Sequence, residues 1–136
     1  MVSKSVFFID DDENYLHFLE RVSEDVPEVD GFFSAKNGKE ALEKLTVWRE
    51  TGEELPSVMF IDVAMPVMDG FEFLDEFKLE RDTFEELRKI IPIIVLTSSM
   101  HEVDKQRAMA TGIVEKYVVK PSGIEDTAAM LREAVQ

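Results

Sequence analysis

The chain has 136 residues, with 15 basic and 29 acidic side chains and a formal charge of −14, a length that suits one domain and a charge that opposes direct contact with nucleic acid or an anionic membrane. The absence of cysteine excludes disulfides, thiol catalysis and thiolate metal sites. No apolar run approaches a bilayer span, and the start, Met1-Val2-Ser3-Lys4-Ser5, leads into only four apolar residues, unlike an export signal, so the expectation is a soluble, cytoplasmic protein with no membrane insertion and with oxygen-ligand chemistry.

In chain order, Val6-Phe7-Phe8-Ile9 stops at Asp10-Asp11-Asp12, and such a short, bounded apolar run reads as a buried strand. Leu16, Leu19, Val22 and Val26 follow at helical spacing, with Asp12 or Asn14 as cap and an end near Pro27. The second strand, Gly31-Phe32-Phe33-Ser34-Ala35, is the weakest. Asn37 with Glu40 then resembles a capping box ahead of Ala41, Leu42, Leu45 and Trp48, and the helix ends around Thr51-Gly52. Val58-Met59-Phe60-Ile61 reads as the third strand, ending at Asp62 before the turn-forming Met65-Pro66-Val67-Met68-Asp69-Gly70. Phe71, Leu74, Phe77, Phe84 and Leu87 mark one long third helix, or a helix broken near Asp82-Thr83. Ile93-Ile94-Val95-Leu96 ends in Thr97-Ser98-Ser99. A fourth helix spans roughly Glu102 to Ala110 and stops at Thr111-Gly112, Tyr117-Val118-Val119 ends in Lys120-Pro121, and a fifth helix runs from Gly123 to the end.

Strands alternating with helices predict a doubly wound parallel sheet, and ligand sites of such sheets lie outside the carboxyl ends of the strands. Right-handed crossovers bring Asp10, Asp11, Asp62, Thr97 and Lys120 to one edge. Carboxylates crowded there raise one another's pKa unless a cation compensates, and hard oxygen ligands suit Mg²⁺. Lys120 adds a fixed positive charge and Thr97 a hydroxyl, so metal, ammonium and hydrogen bond together match a dianionic phosphoryl group. Phosphoryl transfer is the natural reaction.

The Asp10-Asp11 pair, Asp62 followed by Met65-Pro66 and Asp69-Gly70, Thr97, and Tyr117 followed by Lys120-Pro121 resemble the receiver domain of bacterial response regulators over essentially the whole chain. The expected fold is α/β and flavodoxin-like, a doubly wound sheet of five parallel strands in order 2-1-3-4-5 flanked by five helices, with residues 1–136 forming a single receiver domain and no effector domain. The resemblance implies a stand-alone phosphoacceptor of two-component signalling rather than an enzyme with a separate substrate. Asp62 would take a phosphoryl group from a phosphohistidine of a histidine kinase or phosphotransfer protein, or from a small phosphodonor. Mg²⁺ would be held by Asp11, Asp62 and the backbone carbonyl of Ala64, with Asp10 acting mostly through water. Thr97 and Tyr117 would form the switch, read on the surface of helix four, strand five and helix five by a protein target that the sequence does not name. Met100, Val103 and Tyr117 are the candidate reporters there. The Lys120-Pro121 bond resembles the family's cis peptide.

Ala64 and Ser99 are small where they flank the family's path for hydrolytic water, Ser122 stands where an aromatic is frequent, and the segments 47–57 and 78–91 look long. Taken singly, Asp12 is assigned to helix capping, Lys120 to solvent, and Tyr117 equally to plain core. The phenylalanines and methionines read as core, with Met65, Met68 and Met100 as candidates for adapting to a partner, and His17 and His101 are too isolated for a metal site. Two alternatives remain open. One is a haloacid-dehalogenase-like phosphatase with Asp10 as nucleophile, suggested by the apolar run before Asp10-Asp11-Asp12, although Asn14 and the unexplained Asp62 count against it. The other is a receiver-like adaptor independent of phosphorylation.

Overall fold

The computed structural model describes residues 4–136; residues 1–3, part of the stretch read as lacking an export signal, lie outside them. Among the described residues, five parallel strands, β1 (Ser5–Ile9), β2 (Gly31–Ala35), β3 (Val58–Ile61), β4 (Ile93–Thr97) and β5 (Lys116–Val119), form one sheet in the order β2-β1-β3-β4-β5. Five helices alternate with them: α1 (Glu13–Glu24), α2 (Gly38–Thr51), α3 (Gly70–Thr83), α4 (Glu102–Ala110) and α5 (Ile124–Ala134). This is the doubly wound, flavodoxin-like architecture expected from the sequence, and no described helix is long and apolar enough to cross a membrane.

The inner strands are apolar except at Ser5, which opens β1, and Thr97, which closes β4, because both faces are covered. Phe7, Ile9, Met59, Ile61, Ile93 and Val95 face a core closed by α2, α3 and Ala108 of α4. Their chain neighbours Val6, Phe8, Val58, Phe60, Ile94 and Leu96 face a second core closed by α1 and α5. Phe8 stacks on Phe60 with ring centroids 4.4 Å apart, and each large side chain buried this way stabilises the sheet by about 1.5–3 kcal/mol. The weak β2 is an edge strand whose only fully buried residue is Ala35.

Helix boundaries follow local chemistry. Asp12 caps α1, accepting from the Tyr15 backbone N–H at 3.1 Å, so the capping role assigned to it holds. Asn37 caps α2, but Glu40 pairs with Lys44 instead of reaching back, and the complete capping box forms at Asp69 and Glu72 of α3. The choice left open for the third helix resolves as a break: Phe84 is extended, and a short 3₁₀ helix, Glu85–Lys89, follows. Arg49 of α2 lies over the Phe84 ring, 3.5 Å from its centroid, a cation on the face of an aromatic ring at the break.

Candidate phosphoryl site at the carboxyl edge

The strand register places the site. Ile9 pairs with Ile61 and Ile61 with Val95, so the next residues out of β1 and β3, Asp10 and Asp62, emerge together, with Thr97 and Lys120 at the ends of β4 and β5. The Asp62 N–H donates to Ile9 O at 2.9 Å, and the Lys120 N–H to Thr97 O at 2.7 Å, which fixes the four positions as one rim.

Asp10, Asp11 and Asp62 each offer a carboxylate oxygen within 4.8 Å of the others. Asp10 is 3% exposed and Asp62 8%, while Asp11 is exposed to solvent. Asp10 uses both oxygens: Oδ1 accepts from the Asp12 N–H at 2.9 Å, and Oδ2 lies 2.8 Å from Lys120 Nζ. Asp62 is held more loosely. Its Oδ1 accepts a long 3.4 Å bond from the Ala64 N–H, and its Oδ2 lies 3.5 Å from the same ammonium.

Burial pushes the Asp62 pKa up, Lys120 pulls against it, and Asp10 adds to the rise. Burial pulls Lys120 down, but the Asp10 hydrogen bond and the two carboxylate charges outweigh it and leave its pKa above the ordinary lysine value. One ammonium therefore serves two buried carboxylates, with the exposed Asp11 beside them. Three clustered hard oxygen donors fit a divalent cation of the Mg²⁺ type.

The loop after Asp62 is pinned from below. A Cβ at Gly70 would stand 2.3 Å from Asp62 O and 2.8 Å from Val63 Cα, and the Gly70 N–H donates to Val63 O at 3.0 Å. The Asp69-Gly70 part of the motif thus presses the start of α3 against the Asp62 backbone. Between them the Met68 N–H donates to Pro66 O at 2.7 Å around Val67, whose φ is +68°. This tight three-residue turn is strained for a β-branched side chain.

Thr97 is 4% and Tyr117 7% exposed. The Tyr117 side chain is turned inward, beside Thr97 and the backbone of His101, without a well-formed hydrogen bond to its hydroxyl among the described residues. Burial, then Asp104, push its pKa up. Of the other reporter positions, Met100 and Val103 are exposed. His101 Nε2 meets Ser99 Oγ at 3.0 Å, and neither histidine belongs to the acidic cluster. The cis peptide bond lies at Ile91–Pro92 rather than at Lys120–Pro121, a departure from the resemblance, and Lys120 reaches both carboxylates nonetheless.

Sequence reasoning missed Tyr15. It sits in the first turn of α1, and the Lys120 ammonium lies over its ring, 4.6 Å from the centroid. Its place just after the Asp12 cap was the available signal.

Fold and cluster together define a doubly wound α/β protein with an acidic cluster, partly offset by one lysine, at the carboxyl edge of its sheet. The chain belongs to the response regulator receiver domain family of two-component systems, whose profile matches residues 6–132. It is similar to a two-component response regulator from Cytophaga hutchinsonii, at 31% identity and a TM-score of 0.78, over 99% of this chain and 98% of that one. The chemotaxis protein CheY4 of Vibrio cholerae is 28% identical with a TM-score of 0.75, over 98% of this chain and 99% of that one. A probable methanogenesis regulatory protein, FilR2 of Methanothrix harundinacea, is 35% identical over 98 residues, 72% of this chain and 59% of that protein. The chain spans still less of other curated relatives, 12%, 26% and 30% of the length of three of them.

Proposed function

We propose that the chain is a cytoplasmic phosphoacceptor switch, in which Asp62 receives a phosphoryl group from a phosphohistidine of a histidine kinase or phosphotransfer protein. The observation that carries this reading is the meeting of Asp10, Asp11 and Asp62 within 4.8 Å around a lysine that pairs with two of them. An Asp62 oxygen attacks phosphorus, the bond from phosphorus to the donor's imidazole nitrogen breaks, and the imidazole leaves with a proton from solvent. Asp10, Asp11, Asp62 and the Ala64 carbonyl would hold Mg²⁺, which when bound supplies positive charge to the phosphoryl oxygens. Lys120 neutralises a further oxygen and Thr97 donates its hydroxyl, so the chain supplies alignment and charge without a separate base.

Asp62 is favoured over Asp10 as nucleophile because both Asp10 oxygens are engaged by short contacts, whereas those around Asp62 are longer. That weighs against the phosphatase alternative. Once Thr97 turns toward the phosphoryl group, the inward Tyr117 keeps its place, and the surface of α4, β5 and α5 presents the change to a protein target. The test is a mass measurement after incubation with Mg²⁺ and acetyl phosphate. Wild type gains one phosphoryl group and Asp62→Asn gains none; no gain in wild type would favour the phosphorylation-independent adaptor.

A further inference from the structure

Tyr15 enters the site from α1, the element opposite Thr97 and Tyr117. Its backbone is fixed by the Asp12 cap, and Phe18 stacks on its ring with centroids 6.2 Å apart. The Lys120 ammonium that pairs with Asp10 and Asp62 lies over the same ring, 4.6 Å from the centroid. A cation on a ring face is held by the ring's quadrupole, so the aromatic body limits where Lys120 can go. The hydroxyl is the unexplained part: it is buried and, among the described residues, has no hydrogen-bond partner.

A buried hydroxyl left unpaired is destabilising, and such a group in a folded chain calls for an explanation, a catalytic role among them; of the unpaired buried groups, only Tyr15 also holds the Lys120 ammonium over its ring. Burial first, then the charges of Asp10 and Asp62, push the Tyr15 pKa up. The group therefore stays a neutral O–H donor, and it lies within the field of the two carboxylates that Lys120 serves. A phosphoryl group on Asp62 would bring new acceptor oxygens to the Lys120 ammonium, the same cation that lies over the Tyr15 ring.

We propose that Tyr15 is a further phosphoryl-contacting residue, whose hydroxyl donates a hydrogen bond to an oxygen of the group carried on Asp62 while its ring holds the Lys120 ammonium against the two carboxylates. This rests on Asp62 as phosphoacceptor. It assigns α1 a part in the reaction beyond the aspartates that precede it, and it divides Tyr15 into two separable functions, hydroxyl and ring.

The experiment uses the full chain with Mg²⁺ and acetyl phosphate, comparing wild type, Asp62→Asn, Tyr15→Phe and Tyr15→Leu by mass. Tyr15→Phe keeps the ring and loses the hydroxyl, so it is labelled roughly 10- to 100-fold more slowly, the scale of one hydrogen bond to a charged group. Tyr15→Leu loses both and is slower still. A second readout is the ¹³Cζ resonance of Tyr15, isolated in a Tyr117→Phe background because the chain has two tyrosines. It shifts when beryllium fluoride, a phosphoryl mimic, is added with Mg²⁺. Wild-type labelling with Tyr15→Phe equally fast and the resonance unmoved overturns the role of Tyr15 and leaves Asp62 intact. No labelling of wild type overturns both.

Discussion

Lys120 Nζ lies 2.8 Å from Asp10 Oδ2, closer than its 3.5 Å approach to Asp62. Asp10 thus anchors the ammonium, and Asp62 shares it. Lys120→Met leaves both buried carboxylates uncompensated and lowers stability by roughly 3 kcal/mol, measured by urea unfolding, and Mg²⁺ restores part of the loss. Because the folded-state pKa of Lys120 lies above the ordinary lysine value, the pair's contribution is full below that value and disappears as pH climbs through the folded one. The gap between wild type and variant closes only in strong alkali.

Asp62 behaves in the opposite sense. Burial raises its pKa despite Lys120, so the folded state holds the proton more tightly than the unfolded chain. Stability falls as pH rises from the ordinary carboxylate value through the raised one and stays lowered above it. Without added metal, Asp62→Asn melts higher than wild type at neutral pH, by roughly 4 °C for each kcal/mol relieved, and the advantage vanishes in acid. Mg²⁺ raises the wild-type midpoint by mass action and that of the variant less; calorimetry with and without the ion measures both.

Gly70→Ala sets a methyl group 2.3 Å from Asp62 O, against backbone that has no rotamer to yield. The expected cost is about 1–3 kcal/mol of overpacking, seen in chemical denaturation, together with slower labelling because the displaced atom belongs to the nucleophile's own residue. Gly112→Ala is the control: its φ is +79° but nothing stands within 4 Å of the added carbon, so labelling is unchanged.

Val67 is 76% exposed at a φ of +68°, so its side chain adds little packing to offset the strain. Val67→Asn places a residue that tolerates this conformation and stabilises the protein by about 1 kcal/mol, read as a higher thermal midpoint.

The strands were legible because apolar runs covered on both faces have no other reading in an alternating α/β pattern, and Asp62 was legible because such a run delivers it to the rim. The break at Phe84 was only half legible. Phe84 and Leu87 continue the helical spacing of Phe77, and it takes the Arg49 contact to show where the chain leaves the helix. The spacing of Asn37 and Glu40 predicts a capping box, but the complete one forms at Asp69 and Glu72, and Glu40 pairs with Lys44. Tyr15 stayed hidden for another reason: its spacing says only that it belongs to α1, and its meaning depends on Lys120, which the fold brings to it from β5.

Trp48 is the chain's one tryptophan. It packs against Phe7 and Phe33 with ring centroids 5.2 Å away in each case, near the far end of α2, whose first residue, Gly38, donates to Met68 O beside the Asp62 loop. At 1.5 Å rise per residue, that sets the indole on the order of 15 Å down the helix from the rim. Its fluorescence is therefore a gauge of whether the β2 edge is intact and a poor sensor of what happens at Asp62. Light absorbed by Tyr15 and Tyr117, one on each flank of the pocket, is the signal to watch there.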